Sequence, residues 1–352
     1  MSSIAKPRFH HPSLARNSLG LTRRDYEGAM STLCAGCGHD SITAALVQTF
    51  YELEVVPHRV AKVSGIGCSS KTPTYFMSQA HGFNSVHGRM PSVVTGANAA
   101  NGGLMYVGIS GDGDSLSIGL GQFCHAIRRN VNMLYVLENN GVYGLTKGQF
   151  SASADLGTKS KRGEANREGP IDPVPLALSL GATFVARTFS GDKDQLVPIL
   201  KAGLRHRGFA FVDVLSPCVT FNDHEGSTKS YTFIRGQKHD LVYADFVPVV
   251  GEISTEPYEP GAVQSVRLHD GSQVRLRKVD ADYDPHDRIG AFAYLKERQE
   301  RGELATGLLF IEEHDEDMHA RAGTGPVPMV DLPFEELCPG SDALDELMEA
   351  FR

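Results

Sequence analysis

The chain has 352 residues, of which 41% are hydrophobic and 8% aromatic, with a formal net charge of −8. That length suits one large domain with an appendage, or two domains. The acidic balance argues against a nucleic-acid partner, which needs a basic face, and the longest apolar runs are strand-length, far short of the ~20 residues that span a bilayer.

The N-terminal stretch, residues 1–28, carries proline, arginine and histidine without periodicity and has no apolar h-region. It reads as an ordered arm or a floppy leader and not as a secretory signal, so the expected compartment is the cytoplasm. Six cysteines in such a chain point to metal, cluster or buried thiol and away from a disulfide framework. The first two form Cys34-Ala35-Gly36-Cys37-Gly38-His39, where the glycines keep the loop slim enough for both sulfurs to face one centre. The following SITAALVQTFYEL reads as an amphipathic helix, with Ile42, Leu46, Val47 and Phe50 on one side.

Residues 58–64 read as a strand ending in Gly65-Ile66-Gly67-Cys68-Ser69-Ser70-Lys71. A third cysteine thus follows a strand on a glycine turn. Lys71 is either a solvated surface lysine or an anchor for an anionic substrate. In HGFNSVHGRM, His81 is expected to be structural, whereas His87 and Arg89 share a glycine-flanked loop just before a helix and are candidate cofactor-side groups. The small residues of PSVVTGANAANG suit close helix packing.

Residues 104–149 then spell strand, turn, helix and strand. An apolar run from Leu104 to Ile109 ends at Gly111-Asp112-Gly113, a helical pattern covers Ser115 to Arg129, and a second apolar run, Val131 to Leu137, is broken by Glu138-Asn139-Asn140-Gly141. In a βαβ unit both strand ends open on one edge of a parallel sheet, so Asp112 and Asn140 are expected side by side. Their oxygens suit Mg²⁺, which takes few ligands from protein and the rest from phosphate and water. Gly111 and Gly113 let backbone approach a diphosphate, and the helix starting near Asp114 aims free N–H groups at it. A nicotinamide fingerprint fails, because Leu116 stands where the third glycine belongs.

The loop GVYGLTKGQ, with donors Thr146, Lys147 and Gln149, hangs over the expected diphosphate, and residues 151–172 form a long polar excursion of the lid or contact-loop kind. Helix 173–180, strand 182–187, helix 192–207 and strand 209–215 follow, the last ending in Ser216-Pro217-Cys218. Beyond this, VQSVRLHDGSQVRLRKV reads as a β-hairpin, residues 285–303 as a charged surface helix, GLLFIEEHDEDMH as a short apolar strand running into an acidic loop, and the end as an acidic tail. The fold class is α/β: an open, mainly parallel sheet with helices on both faces, plus a small C-terminal α+β extension. The expected division is an arm (1–28), a cofactor and cluster domain (29–225) and the extension (226–352).

Cys34, Cys37, Cys68 and Cys218 fall at loops or strand ends, while Cys124 lies inside a helix and Cys338 in the tail. Four thiolates hold zinc or an iron–sulfur cluster, and spacing alone leaves both open.

Gly-Asp-Gly, 25 residues, then Asn-Asn resembles the thiamine-diphosphate motif. Together with CAGCGH, GIGCSSK and SPC, the chain resembles the β subunit of a 2-oxoacid:ferredoxin oxidoreductase over residues 30–225. The resemblance implies thiamine diphosphate held through Mg²⁺ on Asp112, Asn140 and the Val142 carbonyl, and one [4Fe-4S] cluster on Cys34, Cys37, Cys68 and Cys218. Candidate cofactor contacts are Ile66, Gly67 and Cys68, then His87, Gly111, Asp112, Gly113 and Asp114, then Asn140, Val142, Gly144, Leu145 and Thr146; candidate catalytic residues are Lys71, His87 and Arg89.

The implied activity is oxidative decarboxylation of a 2-oxoacid with coenzyme A, electrons leaving through the cluster to ferredoxin. The favoured substrate is 2-oxoglutarate, whose carboxylate Lys71 would pair with beside Leu145. The missing pyrimidine-binding domain is expected on an α subunit. Competing readings are a cluster-free thiamine-dependent decarboxylase or synthase subunit, and a zinc-stabilised interaction subunit.

Overall fold

A computed structural model describes residues 6, 11–248, 263–278, 283–313, 316–338 and 340–352. Its strands are β1 (Val60–Ser64), β2 (His81–Asn84), β3 (Met105–Gly111), β4 (Met133–Asn139), β5 (Val142–Tyr143), β6 (Gln149–Phe150), β7 (Phe184–Phe189), β8 (Phe209–Leu215), β9 (Lys238–Val247), β10 (Val263–Arg267), β11 (Gln273–Lys278) and β12 (Leu304–Ile311). Ten of them form one sheet in the order β10-β11-β9-β12-β7-β8-β4-β3-β1-β2, and β5 and β6 make a separate two-stranded ribbon.

From β2 to β7 every pairing is parallel. The sequence shows why: β4 and β8 are apolar almost throughout, as strands buried on both faces require, and all seven residues of each are buried. β12 then pairs antiparallel to β7 and parallel to β9, and the hairpin β10–β11 adds antiparallel strands beyond it. The expected hairpin and apolar strand of the C-terminal third are present, and they continue the central sheet.

Packed helix pairs cover the sheet: Gly38–Glu52 with Lys193–Arg205, Met90–Ala100 with Leu120–Arg129, and Pro173–Ser179 with Arg288–Glu300. At the heart of the core, the Phe123 ring stands edge-on to Tyr135, Phe209 and Phe211 at centroid distances of 5.2, 6.1 and 5.1 Å. Each such buried ring contributes about 1.5–3 kcal/mol by leaving water. Tyr26 of the N-terminal stretch is fully buried, and Met77 N–H donates to its carbonyl, so the described part of that arm is fastened to the domain.

One expectation changes, and one element is unexpected. The helix read as continuous from Ser115 is a π-helical turn, Gly113–Ile118, followed by an α-helix, Leu120–Arg129. Gly119 forces the break: its N–H donates to Asp114 O at 2.9 Å, and a Cβ there would lie 2.8 Å from Gly88 O. HGFN, to which the sequence reading gave no element, is edge strand β2. All four of its residues are exposed, so it has no apolar alternation to betray it.

Candidate cofactor cleft and cysteine ring

Four neighbouring strands, in the order β8-β4-β3-β1, end on the same edge because they run parallel. The segments leaving them are Ser216–Cys218, Asn140–Gly141, Asp112–Gly113 and Gly65–Lys71, which meet at the place where open α/β sheets bind ligands. A cleft opens there. All thirteen residues expected to contact a cofactor line it, and so do His39, Ser69, Glu138 and Tyr143.

Asp112 is buried. Its Oδ2 accepts from Gly141 N–H at 3.0 Å, Ser153 Oγ at 2.6 Å and Ser151 Oγ, and its Oδ1 faces Asn140 N–H at 3.4 Å. Burial pushes its carboxyl above the usual range, against the pull of these hydrogen bonds. Among the described residues no lysine or arginine pairs with it. A buried carboxylate with only neutral donors around it, beside an amide oxygen and a free backbone rim, is a set of hard oxygen ligands short of a cation. These residues fit Mg²⁺.

Asp114 is turned elsewhere. Its carboxylate accepts from Ile66 N–H (3.1 Å), Gly88 N–H (2.7 Å), Ser110 Oγ (2.6 Å) and His87 Nδ1. It therefore pins the loops after β1 and β2 to the centre of the cleft. A Cβ on Gly65 would collide with that carboxylate, which is why the chain needs glycine at the end of β1. The His87 ring stands edge-on to Tyr143, whose hydroxyl donates to Gly113 O at 2.9 Å.

The four sulfurs gather beside the cleft. A Cβ at Gly144 would lie 3.4 Å from Cys68 Sγ and 3.7 Å from Cys218 Sγ, so both face one glycine. Burial pushes the Cys37 thiol up to about 12, and Cys68 and Cys218 are raised for the same first reason. Repulsion between prospective thiolates links Cys37 with Cys68 and Cys218, and Cys34 with the same two. Backbone N–H groups of Thr220, Phe221 and Asn222 aim at Cys218 and pull its thiol the other way. Of these thiols Cys37 is buried, Cys68 and Cys218 are half-buried and Cys34 is exposed; thiols that repel one another, with N–H donors at Cys218, suit a bound metal whose positive charge keeps thiolates ionised. Among the described residues no group of three or more His, Cys, Asp or Glu side chains is already arranged to hold a metal ion.

The chain is similar to known proteins. The thiamine pyrophosphate enzyme C-terminal TPP-binding domain matches residues 65–214. The 2-oxoacid:ferredoxin oxidoreductase subunit beta of Saccharolobus solfataricus is 44% identical over 208 residues, covering 59% of this chain and 68% of that one. The chain belongs to the 2-oxoacid:ferredoxin oxidoreductase β subunits.

Two further relatives bear on this β subunit. The 2-oxoglutarate oxidoreductase subunit KorB of Mycobacterium tuberculosis is 41% identical over 191 residues, covering 54% of this chain and 51% of that one. The structure of 2-oxoglutarate:ferredoxin oxidoreductase from Magnetococcus marinus, with 2-oxoglutarate, coenzyme A and succinyl-CoA bound, superposes with a TM-score of 0.69 at 29% identity, covering 87% of this chain and 92% of that one.

Not every candidate of the sequence reaches the cleft. Arg89 precedes the helix Met90–Ala100 and is exposed, away from the lining. Lys71 does not line it either, although its charge pulls against the rise that burial gives the Cys68 thiol. Cys124 is half-buried on its helix and Cys338 is exposed. Among the described residues no helix is long and apolar enough to cross a membrane.

The sequence reading missed four residues that shape the site. Ser151 and Ser153 arrive on the polar excursion and close on Asp112. Glu138 is fully buried, accepts from Thr72 Oγ1 at 2.9 Å, and is raised well above the usual carboxyl range by burial. His39 follows the CxxC and is lowered to about 4 by burial. Its position immediately after the cysteine pair was the one available signal.

Proposed function

We propose that this β subunit holds thiamine diphosphate through Mg²⁺ on Asp112, Asn140 and the Val142 carbonyl, and one [4Fe-4S] cluster on Cys34, Cys37, Cys68 and Cys218. With an α subunit carrying the pyrimidine-binding domain, it decarboxylates a 2-oxoacid to an acyl-CoA and passes the electrons to ferredoxin. The observation that carries this reading is convergence: the oxygen ligands, Cys68 and Cys218 leave the ends of four adjacent parallel strands, and the Cys37 and Cys34 thiols repel those of Cys68 and Cys218 from the loop before the first helix. When bound, the cofactor supplies the carbanion stabilisation that loss of carbon dioxide demands.

This chain's residues supply the rest. Gly111 and Gly113 admit the diphosphate at the start of the π-helical turn, where backbone N–H groups are free. Asp114 holds the His87 and Ile66 loops against the cleft. Leu145 and Thr146 stand at the mouth, both exposed, with Thr146 Oγ1 donating to Gln149 at 2.6 Å. We favour 2-oxoglutarate as substrate, supported by the cation of Lys71 beside the Cys68 loop and by the names of the two relatives that act on it.

The test is anaerobic co-purification with the partner α subunit. The expected product is brown, gives an EPR signal on reduction, and reduces methyl viologen fastest with 2-oxoglutarate in a panel of 2-oxoacids. Colourless protein with full activity overturns the cluster, and a preference for pyruvate overturns the substrate.

A further inference from the structure

His39 sits two residues beyond Cys37, in the first turn of the helix Gly38–Glu52, and is 1% exposed. Its ring joins three other elements. Nδ1 lies 2.6 Å from Ser216 Oγ and 3.4 Å from the Glu138 carboxylate, and Nε2 lies 3.4 Å from Asn140 Nδ2. Ser216 opens the segment that carries Cys218, and its own N–H donates to Asn139 O at 2.8 Å. One ring therefore touches the start of the helix after the CxxC, the Cys218 segment and the amide of Asn140.

Only one tautomer serves all these contacts. With its proton on Nδ1 the ring donates to Ser216, and the Nε2 lone pair accepts from the Asn140 amide. The other tautomer sets two N–H groups against each other at Asn140. The far end of that amide is also specified, because Asn140 Oδ1 accepts from Val142 N–H at 3.0 Å. Nitrogen thus faces the histidine, and oxygen faces the backbone of the residue proposed to lend the metal its carbonyl. Reversing the amide would present an NH₂ to the cation.

We infer that His39 is the positioning residue for the Mg²⁺ site: it orients the Asn140 amide so that Oδ1 serves as ligand, and it ties the first cysteine loop to the diphosphate rim. The inference rests on Asn140 being a Mg²⁺ ligand. Groups that orient a ligand from behind are worth about 10–100-fold in metal affinity.

The experiment is a calorimetric titration of Mg²⁺ into the assembled, metal-stripped enzyme with thiamine diphosphate present, with thermal unfolding recorded in parallel. Wild type that binds no Mg²⁺ overturns the metal-site reading itself. Given wild-type binding, His39→Phe keeps the ring's bulk, removes the acceptor, and is expected to weaken Mg²⁺ by about 10–100-fold. His39→Gln, whose amide oxygen accepts from Asn140, is expected to recover most of that loss. Equal affinity for wild type and His39→Phe overturns the inference, and so does an equal loss in both variants. Should His39→Phe fail to fold, Ser216→Ala decides. It frees Nδ1 and is expected to weaken Mg²⁺ by at least ~3-fold, at the low side of the same range, and unchanged affinity overturns the inference.

Discussion

Residues 60–215 and residues 325–352 both carry apolar and acidic side chains, and they use them in opposite ways. In the first region β4 and β8 are buried throughout, and the acids at or near the ends of β3, β4 and β8, Asp112, Asp114, Glu138 and Asp213, are buried among hydroxyl, N–H and guanidinium donors. In the second, no described residue is buried. The helix Ser341–Glu349 and the residues just after it place Leu344, Leu347, Met348 and Phe351 at helical spacing along one side, between 51% and 83% exposed. Asp342, Asp345, Glu346 and Glu349 fill the intervening positions. Periodicity marks a face that favours cover, whereas burial depends on what the chain brings against it. An acid is likewise a solubilising charge in one setting and a prospective ligand in the other, and the difference lies in whether water or neutral protein donors surround it.

Substitutions in matched pairs test this contrast. Phe123→Ala should destabilise the folded chain by about 3–5 kcal/mol in chemical denaturation, because the cavity left among Tyr135, Phe209 and Phe211 has no way to collapse. A loss under 1 kcal/mol would mean that the core is not packed as described. Asp112→Ala should weaken Mg²⁺-dependent thiamine diphosphate binding by ~100-fold or more, at or beyond the upper end of what residues behind the ligands contribute. Stability of the metal-free chain should not fall, since a buried carboxylate without a cation is removed. Binding that survives would place the metal elsewhere.

Lys62 supplies a pH dependence. It is buried beneath β1, donates to the carbonyls of Pro73, Phe76 and Met77 at 2.6, 2.6 and 2.9 Å, and is lowered by burial from 10.5 to about 8. The folded value lies below the unfolded one, so between about 8 and 10.5 the unfolded chain binds more protons and stability rises with pH. The contribution is complete above 10.5 and is lost as pH falls through about 8. The difference in unfolding free energy between wild type and Lys62→Met should therefore move in favour of wild type by about 1–3 kcal/mol across that window. A flat difference would show that the three carbonyls offset the burial. Smallest of all, Phe351→Ala should change stability by no more than about 0.5 kcal/mol, as befits a residue 83% exposed. A larger loss would reveal packing of the terminal segment against the domain.

Much of the site was legible because its signals are local. Glycine beside an acid at a strand end, two asparagines at the next strand end, and cysteines on glycine turns each require a particular residue at a particular place. Parallel pairing then brings Asp112, Asn140, Cys68 and Cys218 to one edge, the first two as the βαβ reading of residues 104–141 implied. The buried strands β4 and β8 were equally readable, since continuous apolar runs have few alternatives in an α/β chain.

Only the tertiary structure decided the rest. Ser151 and Ser153 close on Asp112 from a polar stretch without periodicity, because contacts made across the fold leave no mark on local spacing. His39 becomes part of the cleft only when the start of the first helix meets Ser216 and Glu138, and burial then decides the charge of both His39 and Glu138. Arg89, attractive beside His87 in sequence, is exposed and does not line the cleft, since it caps the helix that starts at Met90 while His87 is held by Asp114. Residue types and spacings set which chemistry this chain is able to perform. Burial and long-range contact, which depend on the whole fold at once, chose the side chains that surround it.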